Sequence, residues 1–74
     1  MNKERRKKIV EAIAAMNKIE ALIQSILDDE QEAYENMPES LQMSDNGLAS
    51  EEAQDNLDAA IDALEEAISY LEEI

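Results

Sequence analysis

The stretch LDAAIDALEEAISYLEEI, from Leu57 to Ile74, combines a helical apolar pattern with many carboxylates. Its apolar residues recur at alternating spacings of three and four, the heptad periodicity of helices that pack on other helices. The expected main seam is Ala53, Leu57, Ala60, Leu64, Ala67, Leu71 and Ile74, and Ile61 and Ile68 form a second apolar stripe beside it. One neighbouring helix cannot easily cover both the seam and the second stripe, so this helix is predicted to pack on two sides.

A second, longer helical pattern precedes this one, from about residue 4 to residue 36. Pro38 disfavours helix in the residue before it, which places the end of this helix near Asn36. Residues 37–50 are expected to form a connector, because Ser44, Asp45, Asn46 and Gly47 are common turn formers. The second helix is then predicted over residues 51–74, with Ser50 as its N-cap.

These elements predict an all-α protein: a single helical-hairpin domain over residues 1–74 whose two long helices run antiparallel. A chain of 74 residues without Cys buries a modest core, so we expect a partner subunit to complete it. The prediction is a homodimer that forms a four-helix bundle with coiled-coil packing. The alternative is a monomeric hairpin with scattered exposed apolar residues. The expected oligomer interface is Ile9, Ile13, Met16, Ile23, Leu27, Leu57, Ile61, Leu64, Ile68 and Leu71.

Charge is distributed very unevenly along the chain. The net charge is −13, yet residues 1–18 carry +4 and residues 19–74 carry seventeen acids and no base. In an antiparallel hairpin the basic N-terminus of the first helix lies beside the acidic C-terminus of the second helix. This pairing explains the basic segment without a nucleic-acid or anion site. The residues expected to contact a protein partner with a basic surface are Asp58, Asp62, Glu65, Glu66, Tyr70 and Glu72.

The residue types exclude most chemistry. There is no His and no Cys, so the usual general base and metal ligands are missing, and no Gly-rich phosphate loop exists. Asp28, Asp29 and Glu30 point about 100° apart in a helix and cannot converge on one ion. We predict no enzyme activity, no metal and no cofactor. Glu20 and Glu30 fall within the apolar pattern of the first helix. Three interpretations are open: side chains that snorkel to solvent, polar residues that set the register, or functional carboxylates.

The segment DEQEAYENMPESLQ, from Asp29 to Gln42, resembles the turn of short acidic helical proteins of unassigned function that phages and prophages of Gram-positive bacteria encode. The similarity in layout extends over nearly the whole chain: a basic start, a helix, this turn and an acidic Leu/Ala/Glu-rich helix. The resemblance implies a small accessory phage protein in the cytoplasm of the bacterial host. It supplies no catalytic residues.

The functional prediction is protein–protein binding through the acidic surface, including inhibition of a host defence or nucleic-acid-handling protein by mimicry of DNA. One alternative is a structural oligomerisation module without a distinct ligand. Another is weak binding of nucleic acid or anions through Arg5, Arg6, Lys7 and Lys8, which the surrounding negative charge disfavours. No apolar run is long enough for a membrane span, so no membrane partner is expected.

Overall fold

The computed structural model describes residues 1–74 and confirms an all-α protein. It contains three helices and no strand: α1 (Lys3–Glu35), α2 (Glu39–Gln42) and α3 (Asp45–Glu72). The molecule is a rod with extents of 58 × 15 × 13 Å. A helix rises about 1.5 Å per residue, so the 33 residues of α1 together with the turn account for the length of the rod.

Helix α1 begins where the Asn2 side chain accepts a hydrogen bond from the Arg5 backbone N–H at 2.9 Å. This bond satisfies one of the N–H groups that a helix start leaves without a partner. The helix ends at Glu35, one residue before the expected end, and Pro38 follows shortly after. The next four residues, Glu39–Gln42, form the short helix α2.

Helix α3 begins at Asp45, six residues earlier than expected, so the connector is much shorter than residues 37–50. Ser44 is the N-cap residue, with extended backbone angles, although its hydroxyl donates to the Leu41 carbonyl and not to α3. Ser50 is therefore not a cap: it lies inside the helix and is 4% exposed. The turn formers from Ser44 to Gly47 fit a helix start equally well, since small polar residues are favoured there and Asp45 complements the helix dipole.

Gly47 allows α2 and α3 to approach each other closely. A Cβ atom at this position would overlap the Gln42 carbonyl oxygen, far closer than real Cβ atoms approach other atoms. The Gln42 side chain in turn donates to the carbonyl oxygens of Tyr34 and Met37, at 3.0 and 3.3 Å. The single glycine of the chain thus lets Gln42 tie the end of α1 to the start of α3.

Helices α1 and α3 contact each other near both of their ends. At the turn end the Tyr34 hydroxyl donates to Glu51, and at the other end an Arg6 Nη1 atom donates to the Ile74 carbonyl oxygen at 3.2 Å. The apolar core between them is small, with only Leu27, Ile61 and Ile68 buried among the apolar residues.

The packing seam of α3 differs from the one expected. Ile61 and Ile68, placed in a second stripe by the sequence pattern, are the most buried apolar residues of α3, each 7% exposed. The alanines 53, 60 and 67 are half-buried at the flank, and Ile74 is 51% exposed. Bulky side chains fill the space between two helices better than alanine, so they occupy its centre. The seam is Ser50, Gln54, Leu57, Ile61, Leu64, Ile68 and Leu71.

We expect Gly47→Ala to lower the free energy of unfolding by about 2 kcal/mol, as overpacking does. Alanine in a helix interior is ordinarily more stable than glycine by about 1 kcal/mol, so the clash with Gln42 reverses the usual sign. Urea unfolding followed by circular dichroism measures the change. The neighbouring Asn46→Ala, at an exposed position, is the control. A Gly47→Ala protein as stable as the original would show that α2 does not pack tightly on α3.

Candidate interaction surfaces

The ten residues expected to form the oligomer interface all lie on the seam between α1 and α3. Leu27, Ile61 and Ile68 are buried, and the remaining seven are half-buried. Within one chain they therefore contact the opposite helix first. The predicted interface with a second copy would therefore also need residues beside the seam.

An apolar face lies on one side of the helix pair. A residue one position before a seam residue lies on the same side of the pair in both helices. This follows because the start of each long helix contacts the end of the other. On α1 this side carries Ile19, Leu22 and Ile26, which are 48%, 60% and 46% exposed. Alanines surround them on both helices. The apolar face consists of Ala12, Ala15, Ile19, Leu22, Ile26, Ala53, Ala60, Ala63 and Ala67, and the exposed Asn56 interrupts the alanines of α3.

An acidic row lies on the opposite side, one position after each seam residue of α3. Its members follow spacings of 4, 3, 4, 3 and 7, and every side chain is exposed. Ser69 fills the one position of the series that has no carboxylate. At about 1.5 Å per residue the row is roughly 30 Å long. The acidic row consists of Glu51, Asp55, Asp58, Asp62, Glu65 and Glu72.

Four of the six expected partner-binding residues belong to this row: Asp58, Asp62, Glu65 and Glu72. The other two are exposed but lie elsewhere on α3, Glu66 opposite the seam and Tyr70 at the outer edge of the apolar side. Sequence reasoning missed Glu51 and Asp55. The same count of threes and fours that defines the seam would have found both, shifted by one residue.

Two carboxyl groups meet where the acidic row touches α1. Glu20 is half-buried on the seam and faces Glu65. A side-chain hydrogen bond to Glu65, then burial, then the negative charge of Glu65 together raise the pKa of Glu20 above its ordinary value of 4.5. The fold therefore favours the protonated form of Glu20 more than water does.

A second contact joins the row to α1 at the turn end. The Tyr34 hydroxyl donates to a Glu51 carboxylate oxygen at 2.5 Å. This hydrogen bond is the main reason that the pKa of Tyr34 is raised, followed by burial and by the negative charge of Glu51. Tyr34 itself is half-buried on the α1 seam, so Glu51 is anchored to the packed part of the molecule.

The basic segment lies at the open end of the pair, where the two chain ends meet. A shallow groove of about 450 Å³ opens there, and its floor is mostly apolar. Arg6 spans the groove edge, donating to the carbonyl oxygens of Met1 at 3.4 Å and Ile74 at 3.2 Å. The basic segment therefore lies beside the acidic end of α3. The groove residues are Arg6, Ile9, Val10, Ile13, Leu71, Glu72 and Ile74.

No three acidic side chains are arranged to hold a metal ion. The turn-end acids Asp28 and Asp29 are exposed, and Glu30 is half-buried toward the seam. None of the three helices is both long and apolar enough to cross a lipid bilayer. The surfaces with a distinctive character are therefore the apolar face, the acidic row and the basic open end.

We expect Glu20→Gln to stabilise the protein at neutral pH. A raised pKa means that the stability from protonated Glu20 is complete below pH 4.5 and is lost as the pH rises through the raised value. Glutamine cannot ionise, so its advantage should appear at pH 7 and vanish below pH 4.

Urea unfolding at pH 3.5 and pH 7 tests this expectation. Glu11→Gln, which makes the same charge change at an exposed position of α1, is the matched control. Equal gains from both substitutions at pH 7 would mean that only the total charge matters, and not the contact between Glu20 and Glu65.

Comparison of the chain with protein-family models, with curated proteins and with solved structures finds no match. The resemblance to short acidic phage proteins, made on the turn segment from Asp29 to Gln42, stays a prediction. The surfaces of the chain are therefore the basis on which its function has to be inferred.

Proposed function

We propose that this chain is a non-enzymatic interaction protein of the small acidic phage type. In this proposal the helices form an antiparallel hairpin, two hairpins associate into a four-helix bundle, and the acidic row binds a protein partner with a basic surface. The observation that carries the binding function is the row itself: six exposed acids on one side of α3, in a region with no base between residues 19 and 74.

The regular spacing of the row supports a specific docking surface. Acids scattered for solubility alone would be distributed around α3, whereas these recur on one side along roughly 30 Å. Two members are held by contacts to α1, Glu51 through Tyr34 and Glu65 through Glu20. A rigid line of negative charge with no neutralising cations speeds the encounter with a basic groove and repels acidic proteins.

A basic groove that accepts such a line is typical of proteins that bind nucleic acid. Their lysines and arginines are arranged to neutralise a regular series of phosphates. We therefore propose that the partner is a nucleic-acid-handling or defence protein of a bacterial host, and that the acidic row inhibits it by occupying that groove. The cytoplasm of the host is the compartment where such a partner occurs.

The main competing function is a structural module whose only partner is itself. The apolar face favours this alternative, since it offers a surface for self-association without a further ligand. The two functions differ in one respect. A structural module does not need the acidic row, whereas an inhibitor does.

The test is capture of proteins from a bacterial lysate by the tagged chain, at low and high salt, with mass spectrometry. We expect the original chain to retain a basic nucleic-acid-binding protein at low salt and to release it at high salt. A variant with four row acids neutralised should lose this capture. It carries Asp55→Asn, Asp58→Asn, Asp62→Asn and Glu72→Gln, and leaves the two residues that contact α1 unchanged.

The matched control removes the same amount of charge from exposed acids on the sides of the helices that face away from the seam. It carries Glu11→Gln, Glu32→Gln, Glu52→Gln and Glu66→Gln. Capture retained by this control and lost by the row variant supports the proposal. Equal loss in both variants would show an effect of net charge alone, and a chain that captures nothing at either salt would favour the structural module.

A further inference from the structure

We infer that a second copy of this chain packs on the apolar face in the antiparallel orientation, with its turn end beside the open end of the first copy. This inference rests on the proposed dimer and adds the face and the direction. In this arrangement a two-fold axis relates the two copies and passes close to Ile19. The α1 helices of the two copies then pack against each other in opposite directions at this axis.

The α1 part of the apolar face, a stripe from Ala12 to Ile26, is nearly symmetrical about Ile19. Ala12 and Ile26 lie seven residues before and after Ile19, so an antiparallel second copy places each alanine opposite an isoleucine. Ala15 lies four residues before Ile19 and Leu22 three residues after it, so each of these alanines comes within one residue of the leucine of the other copy. Small side chains opposite large ones allow two helices to interdigitate, and the two Ile19 residues meet at the axis.

The charges at the two ends of the stripe give the direction. Ala15 and Leu22 belong to a series of positions that recur every seven residues along α1. The series begins at Lys8 and ends at Asp29, and both of these side chains are exposed. The antiparallel orientation brings Lys8 of each copy beside Asp29 of the other. The parallel orientation instead brings the two turn ends together, where residues 28–55 of each copy carry ten acids and no base.

The size of the face fits a second copy. The rod is 58 Å long and 15 Å wide, so one whole side, of which the apolar face forms the middle part, offers about the 800 Å² per partner of a standard protein interface. Apart from Asn56, its middle consists of alanine, leucine and isoleucine, and its charged residues lie at the ends. A dimer interface has this composition, with an apolar middle and a polar rim.

Charge exchange at the two ends of the stripe tests the orientation. Lys8→Glu and Asp29→Lys should each raise the dimer dissociation constant about tenfold, since each disturbs two symmetry-related ion pairs of the kind that is worth up to about a factor of five apiece. The double variant should restore the original value. Lys18→Glu, which makes the same charge change at an exposed position away from the face, should leave the dissociation constant within about twofold. Sedimentation equilibrium measures the dissociation constants of the original protein and the four variants.

A cysteine at the axis gives an independent measurement. The chain has no cysteine, so Ile19→Cys introduces a single thiol. Antiparallel copies hold the two thiols close enough for a disulfide, and mild oxidation should convert most of the dimer to a covalent dimer. Val10→Cys, on the opposite side of α1 and 66% exposed, should cross-link only slowly through random collisions.

Each outcome separates the orientation from the proposed dimer. A dimeric mass with no rescue in the charge exchange and no preferential cross-link at position 19 overturns the antiparallel arrangement and leaves the dimer in place. A monomeric mass for the original chain at millimolar concentration overturns both. Neither result bears on the acidic row, because capture of a basic partner is measured separately.

Discussion

The packing of α1 against α3 along one narrow seam is the interaction on which the rest of the molecule depends. Two helices can cover only one stripe of each other, and here that leaves Leu27, Ile61 and Ile68 as the buried apolar core. A core of this size is small for a chain of 74 residues. Every apolar residue outside the seam stays in contact with solvent unless something else covers it, which is why we propose the apolar face as the place where a second copy packs.

The seam also determines where the charges are presented. Once Ile61 and Ile68 face α1, the residues one position later must lie along one flank of α3, and in this sequence nearly all of them are acids. The turn sets the register of this arrangement. Gln42 reaches the last carbonyl groups of α1, and Gly47 lets the start of α3 approach closely enough to keep Tyr34 beside Glu51.

The sequence predicted the helical class and the two long helices well, because both carry strong periodic patterns over many turns. It failed at residues 44–50, where the same residue types favour turns and helix starts. Only the packing of α2 against Gly47 decides between them. It also misplaced the centre of the α3 seam, since alanine and isoleucine both count as apolar in a periodic pattern, and their difference in volume matters only when a second helix is present.

The candidate surfaces were partly predictable for a related reason. Asp58, Asp62, Glu65 and Glu72 were identified from charge alone, whereas Glu51 and Asp55 were missed because α3 was expected to begin only at residue 51 and its seam was placed one stripe away. The row and the apolar face are two consequences of one constraint. A helix whose seam repeats every three and four residues repeats its flanks with the same period, so a sequence can place carboxylates on one flank and alanines on the other. An antiparallel neighbour then brings the equivalent flanks of both helices to the same side. The two flanks thus lie on opposite sides of the helix pair, so in the proposed assembly a second copy on the apolar face leaves the acidic row accessible to the proposed basic partner.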